Sequence, residues 1–204
     1  MSKSAKDKLA VLGGTFDPAH LGHLALASMA LAQLELEQVL FVLTADPPHK
    51  QDRQISAMED RLAMLELAIA DQAFFSISRI EIDRPGPHYA VETVKLLSAK
   101  HPGKEIAYLI GSDSLQDLPG WHRPTEFLAS ISSLVVMRRP GSQPDMNTLK
   151  EALPDLEKKL KFIEAPLLEI SSRKIRQRAR EGDIFRYYLP EKVFDYVQEK
   201  QLYR

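Results

Sequence analysis

Two histidines three residues apart, His20 and His23, close the run GGTFDPAHLGH, which begins at the paired glycines Gly13 and Gly14. A helix with apolar periodicity starts near Leu21, so both imidazoles fall on one face of its first turn. There the unpaired backbone N–H groups and the positive end of the helix dipole already favour an anion. Glycine takes backbone angles closed to other residues and carries no side chain to hold a ligand away. The chemistry this suits is phosphate binding against the loop backbone. On these residues alone other readings stay open. The glycines could form only a sharp strand-to-helix turn. The histidines could be zinc ligands, although a site needs three or four and the chain has no cysteine. No GxxxxGK[ST] and no GxGxxG follows the strand, so neither a P-loop nor a dinucleotide fingerprint accounts for it.

Three later stretches carry groups that would complete such a site. Asp46-Pro47-Pro48-His49-Lys50 follows the next apolar run and offers a lysine to a phosphate. Gly111-Ser112-Asp113 ends another run. Its aspartate either caps a helix or holds ribose hydroxyls beyond the strand end. In Ile170-Ser171-Ser172-Arg173-Lys174-Ile175-Arg176 the serines cap a helix and leave N–H groups for an anion, with Arg176 in reach. Arg173, Arg176 and Arg180 share a helical face, so a solvated basic face is the alternative there. Trp121, the single tryptophan, lies in a Pro119-Gly120 loop and either packs locally or stacks on a flat heterocycle.

The elements that must position these groups alternate. Strands are expected over Leu9–Leu12, Val39–Leu43, Phe75–Ile82, Glu105–Ile110, Leu134–Met137 and Phe162–Leu168. The apolar stripes Leu24, Ala27, Leu31, Leu34 and Met58, Leu62, Leu65, Ile69 mark helices between them. Ser56 with Glu59 reads as a capping box for the second. Further helices are expected from Ala90 to Lys100, between Ser142 and Leu160, and at the end, with Pro190 in first position and Val193, Phe194 and Val197 inward. Strands without alternation point to a sheet covered on both faces. The expected fold is a Rossmann-like, doubly wound α/β domain with a mostly parallel sheet, one domain over 1–204 with a small C-terminal helical part.

At 204 residues and 44% apolar, the chain suffices for one core. A net charge of -1 supplies no general attraction for nucleic acid, so any polyanion site is local. The N-terminal stretch lacks signal-peptide character and no apolar run approaches a membrane span. A cytoplasmic protein is expected, without nucleic-acid or membrane partners, as monomer or homodimer.

His20-Leu21-Gly22-His23 resembles the H-x-G-H hallmark of a nucleotidyltransferase superfamily. Within it, Pro47-Pro48-His49-Lys50, Gly111-Ser112-Asp113, Trp121-His122, Arg138-Arg139-Pro140-Gly141 and Ile170-Ser171-Ser172 to Ile175-Arg176 resemble bacterial nicotinate-nucleotide adenylyltransferases, in order and over nearly the whole chain. The resemblance implies transfer of AMP from ATP to nicotinate mononucleotide, with Mg²⁺ arriving on ATP and no dedicated protein metal cage. It implies that His20, His23 and Lys50 act in catalysis. Gly13, Gly14, Thr15, Phe16, Gly111, Ser112, Asp113, Arg139, Ser171, Ser172 and Arg176 would hold ATP. Thr15, Phe16, His49, Lys50, Tyr89, Ala90, Trp121 and His122 would hold the mononucleotide, with Trp121 on its ring. Two positions depart from the family pattern: Ala90 where a serine or threonine is usual, and Arg173 where threonine is. The alternatives are another acceptor, nicotinamide mononucleotide or phosphopantetheine, or a non-catalytic nucleotide- or RNA-binding protein. A cluster of cations at such a site would repel itself until an anion filled it.

Overall fold

The computed structural model describes residues 7–45, 55–138, 144–164 and 169–204, and every structural statement below concerns those residues. β1 (Lys8–Gly14) leads to α1 (Leu21–Leu34), β2 (Gln38–Leu43), α2 (Met58–Ile69) and β3 (Phe75–Ser78). After α3 (Ala90–Lys100) come β4 (Glu105–Gly111), the short α4 (Ser112–Gln116), α5 (Pro124–Ser130) and β5 (Ser133–Met137). α6 (Met146–Ala152), α7 (Leu156–Lys159), β6 (Leu160–Ile163), α8 (Ser172–Glu181) and α9 (Glu191–Glu199) complete the order. The strands form one sheet in the order β3-β2-β1-β4-β5-β6, and every neighbouring pair is parallel. This is the doubly wound arrangement expected from the alternation.

Successive strand residues feed opposite faces, as a period of two requires. Ala10, Leu12, Val39, Phe41 and Leu109 pack with α1, α2, α8 and α9 in one core. Leu9, Val11, Leu40, Val42 and Tyr108 pack with α3, α5, α6 and α7 in the other. Both faces are covered, which is why the strands read as unbroken apolar runs. The chain winds outward from β1 in one direction and from β4 in the other, so the carboxyl ends of those two strands flank the crevice where such sheets bind ligands.

Several expectations are corrected. Ser56 does not cap α2: Ala57 is the N-cap, without a side-chain cap bond. The Ser56 backbone is used elsewhere, its N–H donating to Asp17 Oδ2 at 3.3 Å. β3 stops at Ser78 rather than Ile82 because the chain turns, with Asp83 N–H donating to Arg79 O at 2.9 Å. β6 starts at Leu160, two residues before the expected Phe162, and ends at Ile163; residues 165–168 lie outside the described residues. Pro190 is the N-cap of α9, one residue before the first position. In α1 the fully buried line is Leu26, Ala27 and Ala30, with Leu24, Leu31 and Leu34 only partly covered. Among the described residues, no helix is long and apolar enough to cross a membrane.

Candidate active site

The β1–α1 turn is built differently from the expectation about its glycines. Gly13 and Gly14 are the last residues of β1, and the left-handed angle of the turn falls on Phe16, at φ 48°. For a residue with a side chain that conformation costs about 1–2 kcal/mol. Burying a phenylalanine ring is worth about as much or more, roughly 1.5–3 kcal/mol, and the Phe16 ring is buried against Phe41 and edge-on to His23. What Gly13 supplies is closeness: a Cβ there would stand 2.6 Å from Tyr108 Oη.

His20 is the N-cap of α1 and only 1% exposed. Its backbone N–H donates to His23 Nδ1 at 3.2 Å. Because Nδ1 of His23 accepts, Nε2 carries the proton of the neutral ring and is the donor. The two rings stack with centroids 3.7 Å apart at 18°. A Cβ on Gly22 would press on the His20 ring at 3.0 Å, so glycine there lets the imidazole lie flat against the helix start.

Beneath the turn runs a buried polar network. Arg61 of α2, 3% exposed, donates to Thr15 O (3.2 Å), Thr44 O (2.8 Å), Ala45 O (3.0 Å) and Ser56 O (3.1 Å). Burial lowers its pKa, against which Asp17 acts; a guanidinium nevertheless stays charged. It therefore ties the strand ends of β1 and β2 to the approach of α2. Asp17, 2% exposed, accepts from Tyr203 Oη at 2.7 Å. Arg176 Nη1 of α8 donates to Asp17 O at 2.6 Å and lies 3.8 Å from its Oδ2. Ser172 Oγ donates to Pro18 O at 3.0 Å, and Ser171 caps α8 by accepting from Lys174 N–H. The start of α8 is thus fastened across the turn.

Between them opens a cavity of about 750 Å³. Gly14, Thr15, Phe16, His20 and His23 line one wall, Ser171, Ser172, Arg173 and Arg176 another, and Asp113 a third. Asp113 stands in the first turn of α4, whose N-cap is Gly111, so it is not the capping residue. Gly13 and Gly111 lie in the strand ends behind the lining, and Ser112 is fully buried. The expected self-repulsion of cations is relieved within the protein: Arg176 lies beside Asp17, and Lys174 Nζ stands 3.2 Å from a Glu169 carboxylate oxygen. His49, Lys50 and Arg139 lie outside the described residues. Of the described residues, no group of three or more His, Asp or Glu could hold a metal ion.

Of the residues expected on the acceptor side, Thr15 and Phe16 line this cavity, whereas Tyr89, Trp121 and His122 belong to an aromatic cluster outside its lining. Tyr89, the N-cap of α3, stacks on His122 with centroids 3.9 Å apart. Arg123 Nε donates to His122 Nε2 at 3.0 Å and its guanidinium pairs with Glu92. Trp121 packs against Phe127 and edge-on to Tyr108, centroids 5.2 and 6.1 Å away, and so is partly a packing residue. Tyr108, whose hydroxyl crowds Gly13, joins this cluster to the β1 wall. Behind it Thr93 donates to the buried Glu81 at 2.6 Å, and burial raises the pKa of that carboxyl. Ala90 opens α3, where its backbone N–H is one of the donors a helix start leaves unpaired by its own turns.

A family model for cytidylyltransferase-like proteins matches residues 11–178. The probable nicotinate-nucleotide adenylyltransferase of Thermomicrobium roseum is 40% identical over 197 residues, covering 97% of this chain and 92% of that protein. The chain belongs to the nicotinate-nucleotide adenylyltransferase family. A relative of that name from Roseiflexus sp. is 44% identical, with 96% of this chain and 98% of the relative covered. Among solved structures, Plasmodium falciparum nicotinic acid mononucleotide adenylyltransferase complexed with NaAD has a TM-score of 0.81 over 97% of each chain, at 17% identity. That likeness is one of fold.

Against this family background, the sequence reading missed Arg61, Asp17 and Tyr203. Arg61 left a signal, a cation four residues before Leu65 on the apolar face of α2, where a charge stays only if its donors are used. Asp17 stands before a proline, where a turn alone accounts for it. Tyr203 left none.

Proposed function

We propose that this protein transfers AMP from ATP to the 5′-phosphate of nicotinate mononucleotide, releasing pyrophosphate and forming deamido-NAD. The observation that carries the reading is the pairing, across one cavity, of the stacked His20 and His23 with the serine-capped, arginine-bearing start of α8. Family membership and the relatives' names support the same activity. A phosphate monoester is already anionic at neutral pH, so its oxygen attacks the α-phosphorus without a protein base, in line with the departing pyrophosphate. The protein's task is to position the two substrates and to neutralise charge.

In this scheme His23 Nε2–H, with His20 beside it, donates to the α- and β-phosphates as charge builds on the bridging oxygen. Ser171, Ser172 and Arg176 take the β,γ end. A unit charge pair at about 4 Å is worth on the order of 4 kcal/mol at an effective dielectric near 20. Gly14, Thr15 and Phe16 line the meeting point, and Asp113 takes the ribose. Lys50 and His49, with Arg139, are assigned to the phosphates from their place in the sequence. Mg²⁺ is part of the substrate, held mainly by phosphate oxygens and water. Tyr89, Ala90, Trp121 and His122 receive the nicotinate end, the helix-start N–H groups of α3 facing its carboxylate. At Ala90 no hydroxyl contributes.

The test is the fate of label from [α-³²P]ATP. With nicotinate mononucleotide the label is expected in a dinucleotide, and with no acceptor none is expected on the protein. Label covalently bound to a histidine or lysine overturns direct transfer; label that never leaves ATP with any mononucleotide overturns the activity.

A further inference from the structure

The last turn of the chain reaches back to the phosphate side of the site. Gln201 and Tyr203, neither a glycine, have φ of 53° and 69°. Left-handed angles on such residues persist where surrounding structure imposes them, often at functional sites. Here they aim the Tyr203 hydroxyl at Asp17, 186 positions earlier, where it donates to Oδ1 at 2.7 Å. Met64 Sδ lies 3.7 Å from the same hydroxyl. Burial and then the charge of Asp17 push the Tyr203 phenol far above its usual range, so it remains a donor at every ordinary pH.

The partners of Asp17 give this contact its consequence. Ser56 N–H reaches Oδ2 at 3.3 Å, Arg61 acts on the carboxylate through its charge, and Arg176 lies 3.8 Å from Oδ2 while its Nη1 is bound to the Asp17 carbonyl. A buried carboxylate oxygen without a donor is costly. If the tyrosine hydroxyl were missing, a partly exposed cation at hand to compensate would be Arg176, 3.8 Å from Oδ2, whose side chain lines the cavity at 18% exposure. We propose that Tyr203 is a positioning residue for the nucleotide: its neutral donor satisfies Asp17 Oδ1 and leaves the free N–H groups of Arg176 to the triphosphate. The inference rests on the adenylyl-transfer reading.

It is tested in the full chain by Tyr203→Phe, Arg176→Ala and the double variant, with steady-state pyrophosphate release, calorimetric binding of Mg-ATP without acceptor, and thermal unfolding. Tyr203→Phe is expected to raise both KM and Kd for ATP about tenfold, the size of one hydrogen bond to a charged group, with KM for the mononucleotide unchanged. In the Arg176→Ala background the same change is expected to add less than about twofold, since the effect passes through that arginine. An ATP affinity unchanged by Tyr203→Phe, a tenfold effect that persists without Arg176, or equal loss toward both substrates overturns the inference. So does a variant without a cooperative thermal transition, which would assign the hydroxyl to the fold. An unaltered chain that binds Mg-ATP but transfers to no mononucleotide overturns the function reading alone, and the calorimetric comparison still decides the role of Tyr203.

Discussion

The two sides of the cavity are made in opposite ways. The β1–α1 turn is buried: Phe16, Asp17, Ala19 and His20 are almost inaccessible, and its backbone is held by Arg61 from below. The start of α8 is open, with Ser171 and Ser172 half-buried and Arg173 and Lys174 exposed. One wall fixes geometry through groups whose partners lie inside the protein. The other supplies charge and hydroxyls from partly or fully exposed side chains that line the cavity. Damage to the first should appear as lost stability or turnover, and damage to the second as weakened ATP binding.

The largest expected effect is on the buried wall. Arg61→Met leaves four carbonyls without their shared donor and Asp17 with one neighbouring cation fewer, a loss of about 3–5 kcal/mol by analogy with broken buried ion pairs. At about 2–4 °C per kcal/mol for a chain of this size, a thermal melt should fall by on the order of 10 °C; a fall under about 2 °C removes Arg61 from the framework. Next, His23→Ala is expected to lower kcat by about 10²–10³, the usual cost of a transition-state donor, with the melting temperature held. A variant within about threefold of the parent excludes His23 from the chemistry.

On the open wall, Arg176→Ala is expected to raise KM for ATP by about tenfold or more through loss of charged hydrogen bonds, with kcat less affected; a kcat loss as large as that of His23→Ala would erase the contrast between the walls. Arg173→Ala, exposed on the same helix, is expected to change KM by less than about twofold, as surface charges contribute little. A larger rise would place Arg173 on the phosphates despite its departure from the family pattern.

What the sequence revealed follows the same division. The histidine pair, the serine cap of α8 and the alternation of strands with helices were legible because each rests on local spacing or periodicity. The glycines were misread because angle and proximity leave the same letter: Gly13 is required by the Tyr108 hydroxyl beside it, while Phe16 takes the unusual angle. The Ser56 capping box failed because a tertiary partner, Asp17, claimed the Ser56 backbone. The bond from Tyr203 to Asp17 has no local pattern at all, since only the closed fold brings those positions together.

In the proposed function the helix-start N–H groups of α3 read the nicotinate carboxylate while the two walls hold Mg-ATP. Pyrophosphate release should therefore be measured with nicotinate mononucleotide and nicotinamide mononucleotide in separate reactions. Release about tenfold or more faster with the acid is expected, because a site with donors set for a carboxylate rejects the neutral analogue. Equal rates would contradict the placement of the carboxylate at the start of α3, and release with neither would contradict the assigned acceptor altogether.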